Sequence, residues 1–326
     1  MKILLLELSC SDSVARQPSR YGGAGITMRR LAENIDNCYL AAEESCFEGD
    51  ITGKCIPLDK EEDVEYIREG LSLEGYRNSR FLEKDSKKNL FKYDIQKGFD
   101  LFVYCNPNVI LGTEKPQLCW SVGAYEKINP GIKHLLLHNA KWQQPNIQNP
   151  ETKIHEFVLG IDIPPFQVED KTLDVFQCSN HYPAINSHLV ANWCVKNKIR
   201  AIFAGPIDPN YKQTFLNEID YKWATYIGQI DEAEKIKLMK KARCYTSLIA
   251  HQINGPQISI KQAWSHNCIV VSSPMGIMPE VVKQGKNGFL VTNEGEFVNA
   301  IKTNSWDIQQ KDCWDISQQW GLPKMI

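Results

Sequence analysis

"YIGQIDEAEKIKLMKKARCYTSLIAHQINGPQISIKQAWSHNCIVVSSPMGIMPEVVKQGKNGFLV", from Tyr226 to Val291, decides the fold. Its first third, "DEAEKIKLMKKA", reads as a helix with acids at its start and lysines at its end, the arrangement the helix dipole favours. "CYTSLIA" is a short apolar run of strand type, "QISIKQAWSHN" is helical, "CIVVSS" is again a strand, "PEVVKQG" starts a helix and "GFLV" closes with a strand. Strands alternating with helices in this way predict a mostly parallel, doubly wound sheet.

The same alternation extends back through the chain. "DVFQCS" and "RAIFAGP" read as strands around the helix "AINSHLVANWCVKN", which places Ile185, Leu189 and Trp193 on one face. In the N-terminal half "KILLLEL" is a short apolar run suited to a strand buried on both faces, and "CYLAAEE", "DLFVYCN", "PQLCWSV" and "KHLLLHN" are further strand candidates. "GITMRRLAENI" has helical spacing at Ile26, Leu31 and Ile35, and "DKEEDVEYIREGLS" reads as a charged, solvent-facing helix. Residues 74–96 are polar and read as surface loop or a short helix. "VLGIDIPPF", Val158 to Phe166, ends in two prolines that cannot donate to a sheet ladder, and the polar "QVEDKT" follows. That break predicts a hinge. The expected organisation is a first domain over 1–166, a second over 167–303 and a tail over 304–326.

Composition narrows the function classes. The 326 residues are 43% apolar and 23% charged with a formal charge of −2, ordinary for a globular protein and without a basic field for nucleic acid. "MKILLLELSCSDS" carries Glu7 inside a short apolar run, so it reads as a first strand and not as a signal peptide. No stretch approaches the ~20 apolar residues of a membrane span. The 11 cysteines are odd in number, lack a Cys-x-x-Cys pair and sit mostly in apolar segments, which fits buried thiols in a reducing cytoplasm. His and Cys show no metal-ligand spacing, and no Gly-x-Ser-x-Gly nucleophile turn occurs.

"SRYGGAGITMRRL" places Gly22, Gly23 and Gly25 before a helix start. Glycines there let a backbone approach a ligand closely, and free N–H groups at the helix start favour an anion such as a nucleoside diphosphate. A flexible loop is the alternative. A dinucleotide fingerprint would follow the first strand directly, whereas a long segment separates Leu8 from Tyr21, which weakens a dehydrogenase reading. His138 ends the strand "HLLLH" and is a candidate to face a ligand; a strand-end histidine satisfied by its neighbours is the plainer reading. His251 stands in the same position with respect to the Asn254 turn.

The quoted stretch resembles the C-terminal domain of GT-B glycosyltransferases, specifically the retaining glycosyltransferase family 4. The landmarks run in order: Tyr226-Ile227-Gly228, Glu234-Lys235-Ile236, Ala242-Arg243, Ala263, Val270-Val271, Gly276, Pro279-Glu280, then Gly285 with Asn287-Gly288. "YGGAGITMRRLAENI" is similar to the family's N-terminal glycine loop, and "VLGIDIPPF" to its interdomain segment. The resemblance implies an α/β protein of GT-B fold, two Rossmann-like doubly wound parallel-sheet domains facing a cleft. The first domain would take the acceptor, the second the nucleotide sugar, and the tail would pack back on the first. The resemblance also implies that Gly228, Gln229 and Ile230 meet the nucleobase and that the Gly276 turn lies near the sugar and phosphate. No bound cation is needed, and no cofactor is implied beyond the nucleotide diphosphate sugar as substrate.

Two departures from the family pattern stand out. The family carries Glu-x7-Glu where this chain has Asn254 and Gln262, beside Gly255. Amides still hydrogen-bond hydroxyls, so the resemblance leaves Gln262 at the ribose and Asn254 at the donor sugar, but a neutral amide cannot stabilise developing positive charge as a carboxylate does. Alternatively both amides only bridge the turn. After "DVFQC" the family has Arg and then Lys for the diphosphate, whereas "CSNHYPAINSH" offers Ser179, Asn180 and His181 as donors. In the tail, Trp306, Trp314 and Trp320 offer peripheral membrane contact as an alternative to packing, without the lysine-rich polar face of an interfacial helix.

The expected activity is transfer of a hexose-type sugar, with retention, from a nucleotide diphosphate sugar to a glycan or other hydroxyl acceptor, with Asn254 and His138 as candidate catalytic residues. In such enzymes the attack comes on the donor's own face, with a leaving phosphate oxygen helping to take the acceptor proton. A degenerate GT-B protein that binds nucleotide or glycan without transfer is the alternative. A nucleotide-sugar epimerase would need acids or histidines placed for proton transfer, and no clear set is present.

Overall fold

The protein is described from a computed structural model, over residues 1–6, 31–32, 35–42, 55–57, 98–104, 115–121, 132–137, 150–156, 160–250, 257–302 and 306–321. The chain divides into two compact units, Met1–Phe157 and Val158–Ile326.

The first unit is built on seven parallel strands: β1 (Ile3–Leu6), β2 (Cys38–Ala42), β3 (Cys55–Pro57), β4 (Leu101–Tyr104), β5 (Gln117–Ser121), β6 (His134–Leu137) and β7 (Lys153–Glu156). Their order is β3-β2-β1-β4-β5-β6-β7, with Leu4 opposite both Tyr39 and Phe102. Successive residues such as Leu4 and Leu5, or Phe102 and Val103, are both buried, as a sheet covered on its two faces requires. The outermost strand is different. In β7 Lys153 and His155 are exposed, and His155 stacks on His134 of β6 with ring centroids 5.4 Å apart.

The second unit repeats the plan with β8 (Leu173–Cys178), β9 (Ala201–Ala204), β10 (Ala224–Tyr226), β11 (Ala242–Ser247), β12 (Ile269–Ser272) and β13 (Gly288–Leu290), in the order β10-β9-β8-β11-β12-β13. The helices between them are α1 (Ser187–Lys196), α2 (Lys212–Leu216), α3 (Glu232–Lys241), α4 (Ile258–Ser265) and α5 (Met278–Val281); α6 (Glu294–Lys302) and α7 (Trp306–Ser317) follow the last strand. Asp231 caps α3 by accepting from Glu234 N–H at 2.7 Å, while Glu232 and Glu234 open the helix and Lys240 and Lys241 end it. Phe176, Phe203, Phe215, Tyr245, Trp264 and Phe297 fill the core.

The face expected of α1 is corrected at Leu189. Leu189 is exposed and Trp193 half-buried, whereas Ser187, Val190, Ala191 and Cys194 face the core. Asn186, at φ 57°, breaks the chain between a short 3-10 turn at Pro183–Ile185 and α1. The break resets the helical phase, so a spacing counted from Ile185 does not carry into the helix.

At the end of the described chain, residues 306–321 pack within the second unit. Trp320 stacks on Trp264 with centroids 5.2 Å apart, and Trp314 Nε1 donates to the Pro164 carbonyl at 2.8 Å. Ile161 N–H donates to Trp320 O at 2.8 Å, and Gln310 holds both backbone groups of Glu169. The Pro-Pro segment is therefore bound to the tail helix. Trp314 and Trp320 are spent in packing, half-buried and buried respectively. Among the described residues no helix is long and apolar enough to cross a membrane.

Candidate functional site

In an open parallel sheet, ligands bind outside the carboxyl ends of the strands, where neighbouring strands send their chains to opposite faces. In the second unit that point lies between β8 and β11. The segments around it are Ser179–His181 after β8, Gly205 after β9, Ile227–Ile230 after β10, Leu248 after β11 and Ser273–Gly276 after β12.

Hydrogen bonds tie these segments to one another. Gly205 N–H donates to Gly228 O at 2.8 Å, Tyr226 Oη donates to Gly205 O at 2.7 Å, and Ser179 N–H donates to Ala204 O at 3.1 Å. Asn186 Nδ2 donates to Leu248 O at 2.8 Å, and Ser273 Oγ to Ile249 O at 2.6 Å. Gly228 and Gly276 have φ of 78° and 56°, left-handed turns that glycine adopts without strain. Gln229 and Ile230 are half-buried, with Ile230 against the core. Ile227, beside them, is 41% exposed, a large apolar side chain left open at a strand end.

His181 is a correction. It was expected as a donor to a diphosphate, but its ring is wholly buried. Nε2 lies 2.9 Å from the Ala204 carbonyl, which only accepts, so Nε2 carries the proton; Nδ1 then accepts from Ser187 Oγ at 2.7 Å. The ring stacks on Phe215 with centroids 4.8 Å apart. Burial lowers its pKa to about 4, with the bond to Ala204 opposing, so the imidazole is neutral at pH 7. His181 supplies neither a free N–H nor a charge.

Ser179 and Asn180 remain at the strand end. Asn180 is exposed, and Ser179 Oγ is buried without a hydrogen-bond partner in the protein. Two further polar groups share that condition and carried no signal in the sequence. Phe176 pairs with Tyr245 across β8 and β11, so the next residues, Gln177 and Thr246, lie side by side. Both amide atoms of Gln177 and the Thr246 hydroxyl are buried without partners. Each such group costs about 1–3 kcal/mol if left dry, so the switch point holds a polar seam that core packing does not explain.

Gln262 is a further candidate that the structure describes. It lies on α4 and is buried. Its Nε2 donates to Glu232 Oε1 at 2.5 Å, and its Oε1 has no partner. Glu232 Oε2 in turn meets Lys235 Nζ at 2.5 Å. The helix α3 packs against β8, and burial pushes the Cys178 thiol up to about 11, with Lys235 pulling it down and Glu232 pushing it further up. The sequence reading took Glu232 only as a dipole-favoured acid and Lys235 only as a landmark. Nothing in the linear pattern joins position 232 to position 262.

Asn254, Gly255, His138, Gly22, Gly23 and Gly25 lie outside the described residues. Among the described residues no group of three or more His, Cys, Asp or Glu side chains could hold a metal.

Residues 184–304 match the family model described as glycosyl transferases group 1, within the second unit. No curated protein sequence matches the chain. Solved structures give the fold of the whole. HepE of Anabaena in complex with UDP is similar over 98% of this chain and 95% of its own, at 15% identity and a TM-score of 0.64. A glycosyltransferase from Rickettsia africae is similar over 99% and 95%, at 13% identity and 0.66. Sucrose-phosphate synthase from Thermosynechococcus elongatus is similar over 98% and 95%, at 13% identity and 0.64. The fold is thus GT-B, two doubly wound parallel-sheet units, with a region similar to glycosyl transferases group 1 in the second.

Proposed function

We propose that the protein is a retaining glycosyltransferase that moves a hexose-type sugar from a nucleoside diphosphate sugar to a hydroxyl of a glycan or other acceptor. One observation carries the reading. The region matching glycosyl transferases group 1, residues 184–304, holds most of the switch-point segments, with the Gly228 and Gly276 turns and the Gln262 cluster gathered at strand ends. HepE, similar over nearly its whole length, is known in complexes with UDP and with UDP-glucose.

In this reading the turn at Gly228–Ile230 receives the base and the Gly276 turn approaches the sugar and phosphate. Asn254 and Gly255 serve the sugar, and Gly22, Gly23 and Gly25 approach the diphosphate. With His181 neutral and buried, contacts to the diphosphate from the β8 end come from Asn180 and from Ser179. The test is incubation of the full chain with UDP-, GDP- and ADP-sugars, following nucleotide release and the anomeric proton of the product by NMR. Retention of the donor's anomeric configuration supports the reading. Binding without release of nucleotide, across donors and hydroxyl acceptors, would leave a nucleotide-binding protein instead of a transferase.

A further inference from the structure

Glu232 opens α3 with its side chain 47% exposed, yet two far less exposed partners hold it. Lys235, 12% exposed at the side chain, binds one carboxylate oxygen, and Gln262, 4% exposed, binds the other. A surface ion pair contributes only about 0–1 kcal/mol. Enclosing a lysine and an amide to fix one half-open carboxylate is not explained by that return. An ionised carboxylate has room for roughly four donors, and two are in place, one on each oxygen. Acceptor capacity remains on both oxygens, in a plane fixed by the two partners. Beside it the Gln262 Oε1, also an acceptor, is buried with no donor.

The chemistry of a ligand for this cluster follows from what it has left to offer. The Lys235 charge is balanced by Glu232, so no positive charge is spare for a phosphate, and the open acceptors select neutral donors. Two adjacent hydroxyls match two adjacent carboxylate oxygens. The place also fits, because Glu232 opens α3 directly after the Ile227–Ile230 turn, at the carboxyl end of β10.

We propose that Glu232 binds a vicinal diol of the nucleotide-sugar donor, with Gln262 and Lys235 as the residues that position its carboxylate. This rests on the donor reading above and adds to it. In this arrangement α3 supplies the acid, and Gln262 serves as its support. Ribose and the transferred sugar both carry such hydroxyls, and the choice between them is part of the test.

The experiment is calorimetry on the full chain with UDP, ADP and GDP, then with the 2′,3′-dideoxy form of whichever binds best, and with the corresponding nucleotide-glucose. Wild type, Glu232→Gln and Gln262→Leu are compared, with melting temperatures as a check on folding. Glu232→Gln should weaken the ribonucleotide at least about tenfold, as loss of a charged hydrogen bond predicts, and leave the dideoxy form unchanged. Gln262→Leu should lower the same ribo-to-dideoxy ratio, which a merely structural defect would not move. A loss seen only with the nucleotide-glucose assigns the diol to the sugar and supports the proposal equally. Equal loss for ribo and dideoxy forms, or no loss with any ligand, overturns it. If wild type binds none of the nucleotides, the donor reading itself has failed, and this inference fails with it.

Discussion

The carbonyl oxygen of Ser179 lies 2.1 Å from where a Cβ would stand on Gly205. Gly205 has φ of +117°, a conformation side chains rarely adopt, and the obstacle is backbone that cannot rotate away. This contact joins the ends of β8 and β9. Gly205→Ala is expected to cost about 2–4 kcal/mol, from strain and displaced backbone together. Gly228→Ala, at φ +78° with nothing within 4 Å of the added atom, should cost only about 1 kcal/mol. Urea midpoints of the two variants check the ranking, and equal losses would contradict it.

The buried His181 makes an acid-side prediction. Its folded pKa is about 4 against 6.5 in the unfolded chain, so between these values the unfolded state binds the extra proton. Stability from this group is full above pH 6.5, falls as pH drops towards 4, and falls no further below. The loss is on the order of 3 kcal/mol at most. His266, also lowered to about 4 by burial first and then by Lys240 and Lys171, adds to the same window. An NMR titration separates them: the His181 ring should stay neutral at pH 5.5, and a midpoint near 6.5 would contradict the buried tautomer.

The tail is expected to hold the second unit together. Trp320, buried against Trp264 at 5.2 Å and below Lys261 Nζ at 5.8 Å, closes the core over α4. Trp320→Ala should destabilise by about 3–5 kcal/mol. Chemical denaturation followed by Trp fluorescence reads this, and a change under about 1 kcal/mol would show that the tail is dispensable.

Much of the fold was legible because burial writes itself into apolar runs. "LFVY", "IVVS" and "AIFA" are strands covered on both faces, and each is a strand in the structure. Strands that bury less left little trace. Lys153–Glu156, "KIHE", is an edge strand with exposed Lys153 and His155, and Cys55–Pro57 is three residues long. Neither was expected. The site was legible only in outline. The turns at Gly228 and Gly276 announce themselves by glycine after a strand, and both have positive φ. His181 reads in sequence as a polar loop residue, yet the strand-end geometry turns it inward onto Phe215. The Gln262–Glu232 bond joins two helices across a strand, and no local spacing encodes it.

The proposed function puts a nucleoside diphosphate sugar at the carboxyl ends of β8 to β12. Hydrogen–deuterium exchange of the full chain, with and without millimolar UDP, UDP-glucose, ADP and GDP, tests it most directly. The account predicts that at least one of these slows exchange at 178–182, 226–232 and 273–277, with the rest of the second unit little changed. Unchanged exchange with every nucleotide, or protection that leaves those three segments untouched, would contradict it.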